Sequence, residues 1–204
     1  KDAVPEIGVL TDVALDPSNP RIVYAGRISL TVAIFSVLIS TTLGVIVGAI
    51  AGFFRGMTDA VIMRFVEFLL TIPSLPLLLV IAAIVVGDPD AIPIPDVVLQ
   101  FMGQIMLLSQ RDAKQAVLII MVLAGLGWMT ATQLMRGSVL ALREQTFVEA
   151  ARSLGASDFS IIMRHMIPNA MAPIIVNASL GLAGFVVAEA ALSFLGFGIR
   201  DPIP

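Results

Sequence analysis

The chain has 204 residues, 58% of them hydrophobic and 13% charged, with a mean hydropathy of +0.99; this balance excludes a soluble globule and marks a membrane protein. Its 12 Lys and Arg against 15 Asp and Glu leave a formal net charge of -3, without the basic footprint that nucleic acid demands. With no cysteine and a single histidine, His165, thiol catalysis, cysteine zinc sites, iron-sulfur clusters and bis-histidine haem are excluded, and no metal site is expected.

Residues 1–27 read as an extracytoplasmic segment. Its start, Lys1 to Gly8, has neither an initiator Met nor a basic run leading into an apolar one, so it is read as the interior of a longer chain. A bilayer core takes about 20 apolar residues of helix, and Ile28 to Phe54 contains no charged side chain; a first span is predicted over 28–54. Gly44, Gly48, Gly52 and Gly56 recur there every four residues. That spacing aligns them on one face, where a neighbouring helix backbone can approach closely. A tight link, Arg55 to Arg64, leads to the uncharged stretch Phe68 to Gly87, predicting a second span over 65–87. Pro73 and Pro76 each remove a backbone donor, so this helix is expected to kink or partly unwind, either lining a pathway or only curving the helix.

The acidic, proline-rich segment 88–114 reads as an extracytoplasmic loop, with a short amphipathic helix from about Val97 to Leu108 at the interface. A third span is predicted over 115–137 and a fourth over 170–195, joined by a mixed-charge loop at 138–169. Arg55, Arg64, Arg136, Arg143, Arg152 and Arg164 are packed into two short connections, whereas the remaining basic residues are spread over longer acidic segments. The first set is therefore assigned to the cytoplasm. Glu67 and Glu189 are the two charges within or beside spans. Glu67 is expected to pair with Arg64. Glu189 either faces an aqueous cavity or a partner subunit, or snorkels to the interface. Asn177, in mid-span, either bonds a neighbouring helix or meets a solute, and Trp128 and Tyr24 read as packing or interface anchors.

Thr146 to Pro168 has the periodicity of a short amphipathic helix pair. Phe147, Ala150, Ala151 and Leu154 occupy i, i+3, i+4 and i+7 and are expected to form one apolar face, with Glu149, Arg152 and Ser153 turned away. Thr146 and Glu149 fit a capping box, and Gly155 suits the left-handed position that ends a helix. Ser157 is expected to cap a second helix through Phe159, Ile162, Met163 and Met166, until Pro168 and Asn169 open the fourth span. Such a pair on the cytoplasmic face either rests on lipid headgroups, for which Ala150 and Ala151 are poor anchors, or makes a knob that the groove of another protein accepts.

Glu149-Ala150-Ala151, then three residues and Gly155, with Ile167-Pro168 further on, resembles the EAA loop of permease subunits of bacterial binding-protein-dependent ABC importers. ALREQTFVEAARSLGAS at 141–157, RHMIPNAMAPIIV at 164–176, AEAALSFLGFG at 188–198 and AGRISL at 25–30 are similar to the dipeptide and oligopeptide branch, over essentially Arg27 to Pro204. His165 and Ile167 depart from the general pattern, which has an aliphatic residue and Leu at these places.

The resemblance implies an all-α integral membrane protein: residues 28–204 of a type I ABC importer transmembrane domain in the bacterial cell membrane, holding four of six spans and a coupling-helix pair. The spans are then the second to fifth, with the first before Lys1 and the sixth after Pro204. It further implies a homologous second permease subunit, two cytoplasmic ATP-binding subunits and an extracytoplasmic solute-binding protein as partners. Phe147, Glu149, Ala150, Ala151, Leu154, Gly155, Ile167 and Pro168 would couple to the ATPases. Asn177 and Glu189 are the polar candidates for the pathway or a subunit contact. No GxxxxGK[ST] phosphate loop occurs, so the chain is expected to be non-catalytic and to bind no cofactor, its partners using ATP-Mg. The alternative is a secondary transporter driven by an ion gradient, which calls for inverted repeats; no repeat relates the two halves. An intramembrane hydrolase lacks its GxSG, HExxH or paired-aspartate machinery.

Overall fold

The structure is a computed structural model that describes residues 20–88 and 92–197, with side chains from Gly26 onward. The segment before Pro20, the side chain of Tyr24, Asp90 and the tail beyond Phe197 lie outside the described residues. All regular elements among those described are helical. They are α1 (Pro20–Phe54), α2 (Gly56–Thr71), α3 (Ser74–Gly87), α4 (Asp96–Met106), α5 (Gln110–Leu142), α6 (Thr146–Ser153), α7 (Asp158–Ile161), a π-helical turn (Ile162–Met166) and α8 (Ile167–Phe194). Three runs, Gly26–Phe54, Gln110–Leu142 and Asp158–Phe194, are long and apolar enough to cross a bilayer, and the bent pair α2 and α3 makes a fourth if it counts as one span.

The glycine register decides how the two longest helices meet. A Cβ on Gly44 would lie 2.4 Å from the Ala131 Cβ, one on Gly48 2.5 Å from the Thr132 carbonyl oxygen, and one on Gly52 2.9 Å from the Arg136 carbonyl oxygen. Positions rise together along both chains, so α1 and α5 run parallel in backbone contact, an approach that only glycine permits. Gly56 has no such neighbour; with φ +61 it turns the chain into α2, and the four-residue series ends at Gly52. α8 lies antiparallel to both, with Ser29 opposite Glu189 and Val37 opposite Gly181.

Two apolar clusters fill the bundle. One gathers Val32, Leu78, Met106, Leu118, Ile119 and Leu192 around the start of α1 and the end of α8. The other gathers Val45, Phe53, Met135, Val148, Ile161 and Met166 around the shared end of α1 and α5 and the loop that follows it.

The predicted second span is not one helix. α2 ends at Thr71, Ile72 and Pro73 are extended, and α3 leaves at 89°. A residue before proline is driven out of the helical region, which explains Ile72. Pro76 falls in the first turn of α3, where a missing N–H costs nothing. The expected Arg55 to Arg64 link shrinks to Arg55 alone, at φ 54, because α2 already begins at Gly56. The expected amphipathic helix is found as α4, whose Leu99, Met102 and Met106 are buried while Val97 and Phe101 stay exposed. Ser109, which accepts from the Asp112 N–H at 3.3 Å, caps α5 five residues before the predicted start of the third span.

Candidate coupling surface

Four of the six basic residues assigned to the cytoplasm, Arg55, Arg136, Arg143 and Arg152, converge on the common end of α1 and α5. Arg136 grips Asp59 with two hydrogen bonds, Nε to Oδ1 at 2.5 Å and the second guanidinium nitrogen to Oδ2 at 2.7 Å. Arg55 donates to Glu144 at 2.8 Å, and Arg143 donates to the Phe53 carbonyl. The expected pairing of Glu67 with Arg64 does not form: Glu67 is exposed and makes no ion pair among the described residues. The Arg136–Asp59 clasp ties α2 to α5, its side chains 32% and 16% exposed. Asp59→Asn is expected to destabilise the protein by about 1–3 kcal/mol, since it strands a half-buried guanidinium. The double variant Asp59→Asn/Arg136→Gln should recover part of that loss, read as coupling energy in a cycle of unfolding measurements.

α6 spans the predicted residues, but its ends form differently at the two termini. Gln145 is the N-cap, with no side-chain bond, and Thr146 is already helical, so the capping box does not form. The C-terminus follows expectation. Gly155 adopts φ +81, its N–H bonds the Arg152 carbonyl at 3.0 Å, and the Ala156 N–H bonds the Ala151 carbonyl at 3.1 Å, the double closure of a Schellman turn. Ser157 caps α7 by accepting from the Ser160 N–H at 3.3 Å.

The single apolar face is corrected. Ala151 is buried with Val148 against Phe53 and Met135, whereas Phe147, Ala150 and Leu154 point away from the bundle, Leu154 being 88% exposed. Apolar residues at 147, 148, 150, 151 and 154 surround most of a two-turn helix, so periodicity cannot select the stripe that meets the chain's own core; the packing of α6 on α1 and α5 selects it. Phe159 and Met163 extend the outward stripe onto the second helix, 74% and 48% exposed. The ring of His165 sits 6.5 Å from that of Phe147. Glu149 and Gly155 are exposed on the same loop.

Pro168 does not open a separate span. The chain is continuously helical from Asp158 to Phe194, with Ile167 donating to the Ile162 carbonyl across a π turn. In a regular α-helix the proline ring meets the carbonyl four residues back; the wide turn relieves that contact. Ile167 packs half-buried against the inner cluster, and Pro168 is exposed.

Glu189 is buried between α1 and α8, accepting from Ser29 Oγ at 2.6 Å and Ser193 Oγ at 2.7 Å. It does not snorkel: two hydroxyls supply in the interior what water supplies at an interface. Asn177 is half-buried on α8 and bonds no other described residue through its side chain. Trp128 donates to the Gly125 carbonyl at 3.0 Å within its own helix. The break at Pro73 brings Ser74 to the rim of a cleft of about 340 Å³ bounded by Leu78, Gly127, Gly181 and Phe185.

The described residues form a bundle of apolar helices long enough to cross a bilayer, with a partly exposed apolar two-helix loop beside its cluster of basic side chains. Residues 44–204 match the family described as binding-protein-dependent transport system inner membrane component, and the chain belongs to that family. It is similar to the oligopeptide transport system permease protein OppC of Mycobacterium tuberculosis, 32% identical over 174 residues that cover 85% of this chain and 51% of the relative. The protein of the same name from Haemophilus influenzae is 34% identical over 183 residues, covering 90% and 50%. The glutathione transport system permease protein GsiD of Pectobacterium atrosepticum is 33% identical over 184 residues, covering 90% and 52%. The chain thus spans about half the length of the curated relatives it matches.

Proposed function

We propose that the chain forms one half of the translocation pathway of an ATP-driven importer for peptides or a related small solute. The observation that carries this reading is the exposed α6–α7 knob of Phe147, Ala150, Leu154 and Phe159, held at a Schellman turn on Gly155. Residues 28–204 serve as the transmembrane domain, with 88–114 on the extracytoplasmic side and 138–169 on the cytoplasmic side. A homologous permease completes the pathway and a solute-binding protein delivers the cargo. Two cytoplasmic subunits bind and hydrolyse ATP-Mg, the permease itself being non-catalytic.

The outward stripe seats in a groove of an ATPase subunit, and closure of the nucleotide sites moves it as a lever that rocks the spans between inward- and outward-open states. Glu149 and Gly155 set its surface charge and its angle, Ala151 and Ile167 fix it to the bundle, and the exposed Pro168 completes the coupling surface. Asn177, with its free amide on α8, and the cleft beside Ser74 are the pathway candidates. Glu189 acts as a tie between α1 and α8. The ion-gradient alternative leaves the knob and the family match without a role.

Purification of the assembled complex from its host membrane tests the reading: ATP-binding subunits and a solute-binding protein should co-purify, the ligand of the latter naming the cargo. A complex without any ATPase refutes it. Phe147→Ser/Leu154→Ser should insert and fold as the parent does yet bind the ATPase at least about tenfold more weakly, as read by retention on the purified complex.

A further inference from the structure

The coupling knob must be joined to the spans it moves, and one aromatic side chain on α1 meets cations from both α6 and the end of α5 at that junction. Phe53, 3% exposed in the last turn of α1, belongs to the same buried cluster as Val148 and Ala151 of α6 and Val139 of α5. Two guanidiniums lie over its ring: Arg143, just past α5, at 5.7 Å and Arg152 of α6 at 5.9 Å from the centroid. Arg143 also donates to the Phe53 carbonyl, and Arg152 reaches Asp158 of α7 at 3.5 Å. An aliphatic residue would fill the same volume, but burial is non-directional; a ring face attracts cations at a defined place. We propose that Phe53 is a positioning residue for transport, the joint through which the cations of Arg143 and Arg152 hold the coupling helix at a fixed angle to α1.

This inference rests on the ATP-driven reading for its consequence, but its geometry is testable apart from it. The chain has no cysteine, so spin labels at Ile50→Cys and Ser153→Cys report the α1-to-α6 distance in the full-length protein in lipid nanodiscs with its partner subunits. The parent should give one narrow distance distribution. Phe53→Leu keeps an apolar side chain and removes the ring; it should broaden the distribution and lower solute uptake per ATP hydrolysed about fivefold. Arg152→Gln, at a side chain 52% exposed and therefore harmless to folding, should do the same if Phe53→Leu fails to fold. Arg152→Lys should restore the narrow distribution. So should Asp158→Asn, which removes the ion pair and leaves the cation on the ring. Narrow distributions in both Phe53→Leu and Arg152→Gln overturn the joint. Broadened distributions in Phe53→Leu and Arg152→Gln beside a narrow parent, in a complex that contains no ATPase, uphold the joint and overturn the ATP-driven reading instead.

Discussion

Gly48→Leu is expected to force α1 and α5 apart and to lower the melting temperature of the detergent-solubilised protein by about 5–10 °C. A Cβ at this position would stand 2.5 Å from the Thr132 carbonyl oxygen and 2.8 Å from the Met135 Cβ. The first of these is backbone, which cannot turn aside as a side-chain tip can. Relief therefore requires the two helices to separate along their shared length, and Gly44 and Gly52 lose their contacts with them. Lipid-facing apolar surface gains nothing from association in a bilayer, so close packing of this kind is what keeps such helices together. Gly125 is exposed on the same α5 with no atom near its missing Cβ, and Gly125→Leu should melt within about 2 °C of the parent. Equal melting of Gly48→Leu and the parent would show that the glycine seam does not hold the bundle.

Gly155→Val should abolish most solute uptake while leaving the protein inserted and folded. At φ +81 a β-branched residue is strained by about 1–3 kcal/mol, and the helix must end by another route. Nothing lies within 4 Å of the position, so crowding plays no part and the loss reports the backbone angle between α6 and α7. Gly155→Asn tolerates the left-handed region and should keep most activity. Glu149→Lys reverses a charge in the exposed first turn of α6, where an anion favours the helix by about 0.3–1 kcal/mol, and should cut uptake about tenfold or more by altering the docking surface. Uptake into membrane vesicles, together with solute stimulation of ATP hydrolysis, measures both variants; full activity in each would remove this loop from the coupling path.

Much of the loop from Thr146 to Pro168 was legible because its signals are local. Gly155 at φ +81 and the Ser157 cap depend on residues within a few positions of one another, and backbone stereochemistry at a helix end needs no distant partner. The proline break was legible for the same reason, though only the structure shows its 89° extent. The misread features are those that depend on a neighbour. Thr146 failed to cap because the helix began one residue earlier. Glu67 left Arg64 unpaired, while Arg136 found Asp59 across 77 positions of chain. Phe53 showed nothing in the sequence beyond an apolar residue at the end of a span.

Composition and uncharged runs by themselves determine that this chain crosses a membrane by helices, because every backbone polar group in lipid must be satisfied within its own segment. Spacing and motif point to its family, because the stretch from Thr146 to Pro168 carries the resemblance in a short contiguous run. Which stripe of α6 is buried, how α1 meets α5, and which cations rest on Phe53 were decided only by the tertiary structure. Those choices turn on contacts between residues roughly 80 to 100 positions apart, such as Gly48 with Thr132 and Phe53 with Arg152, and no periodicity along one helix encodes which neighbour will arrive.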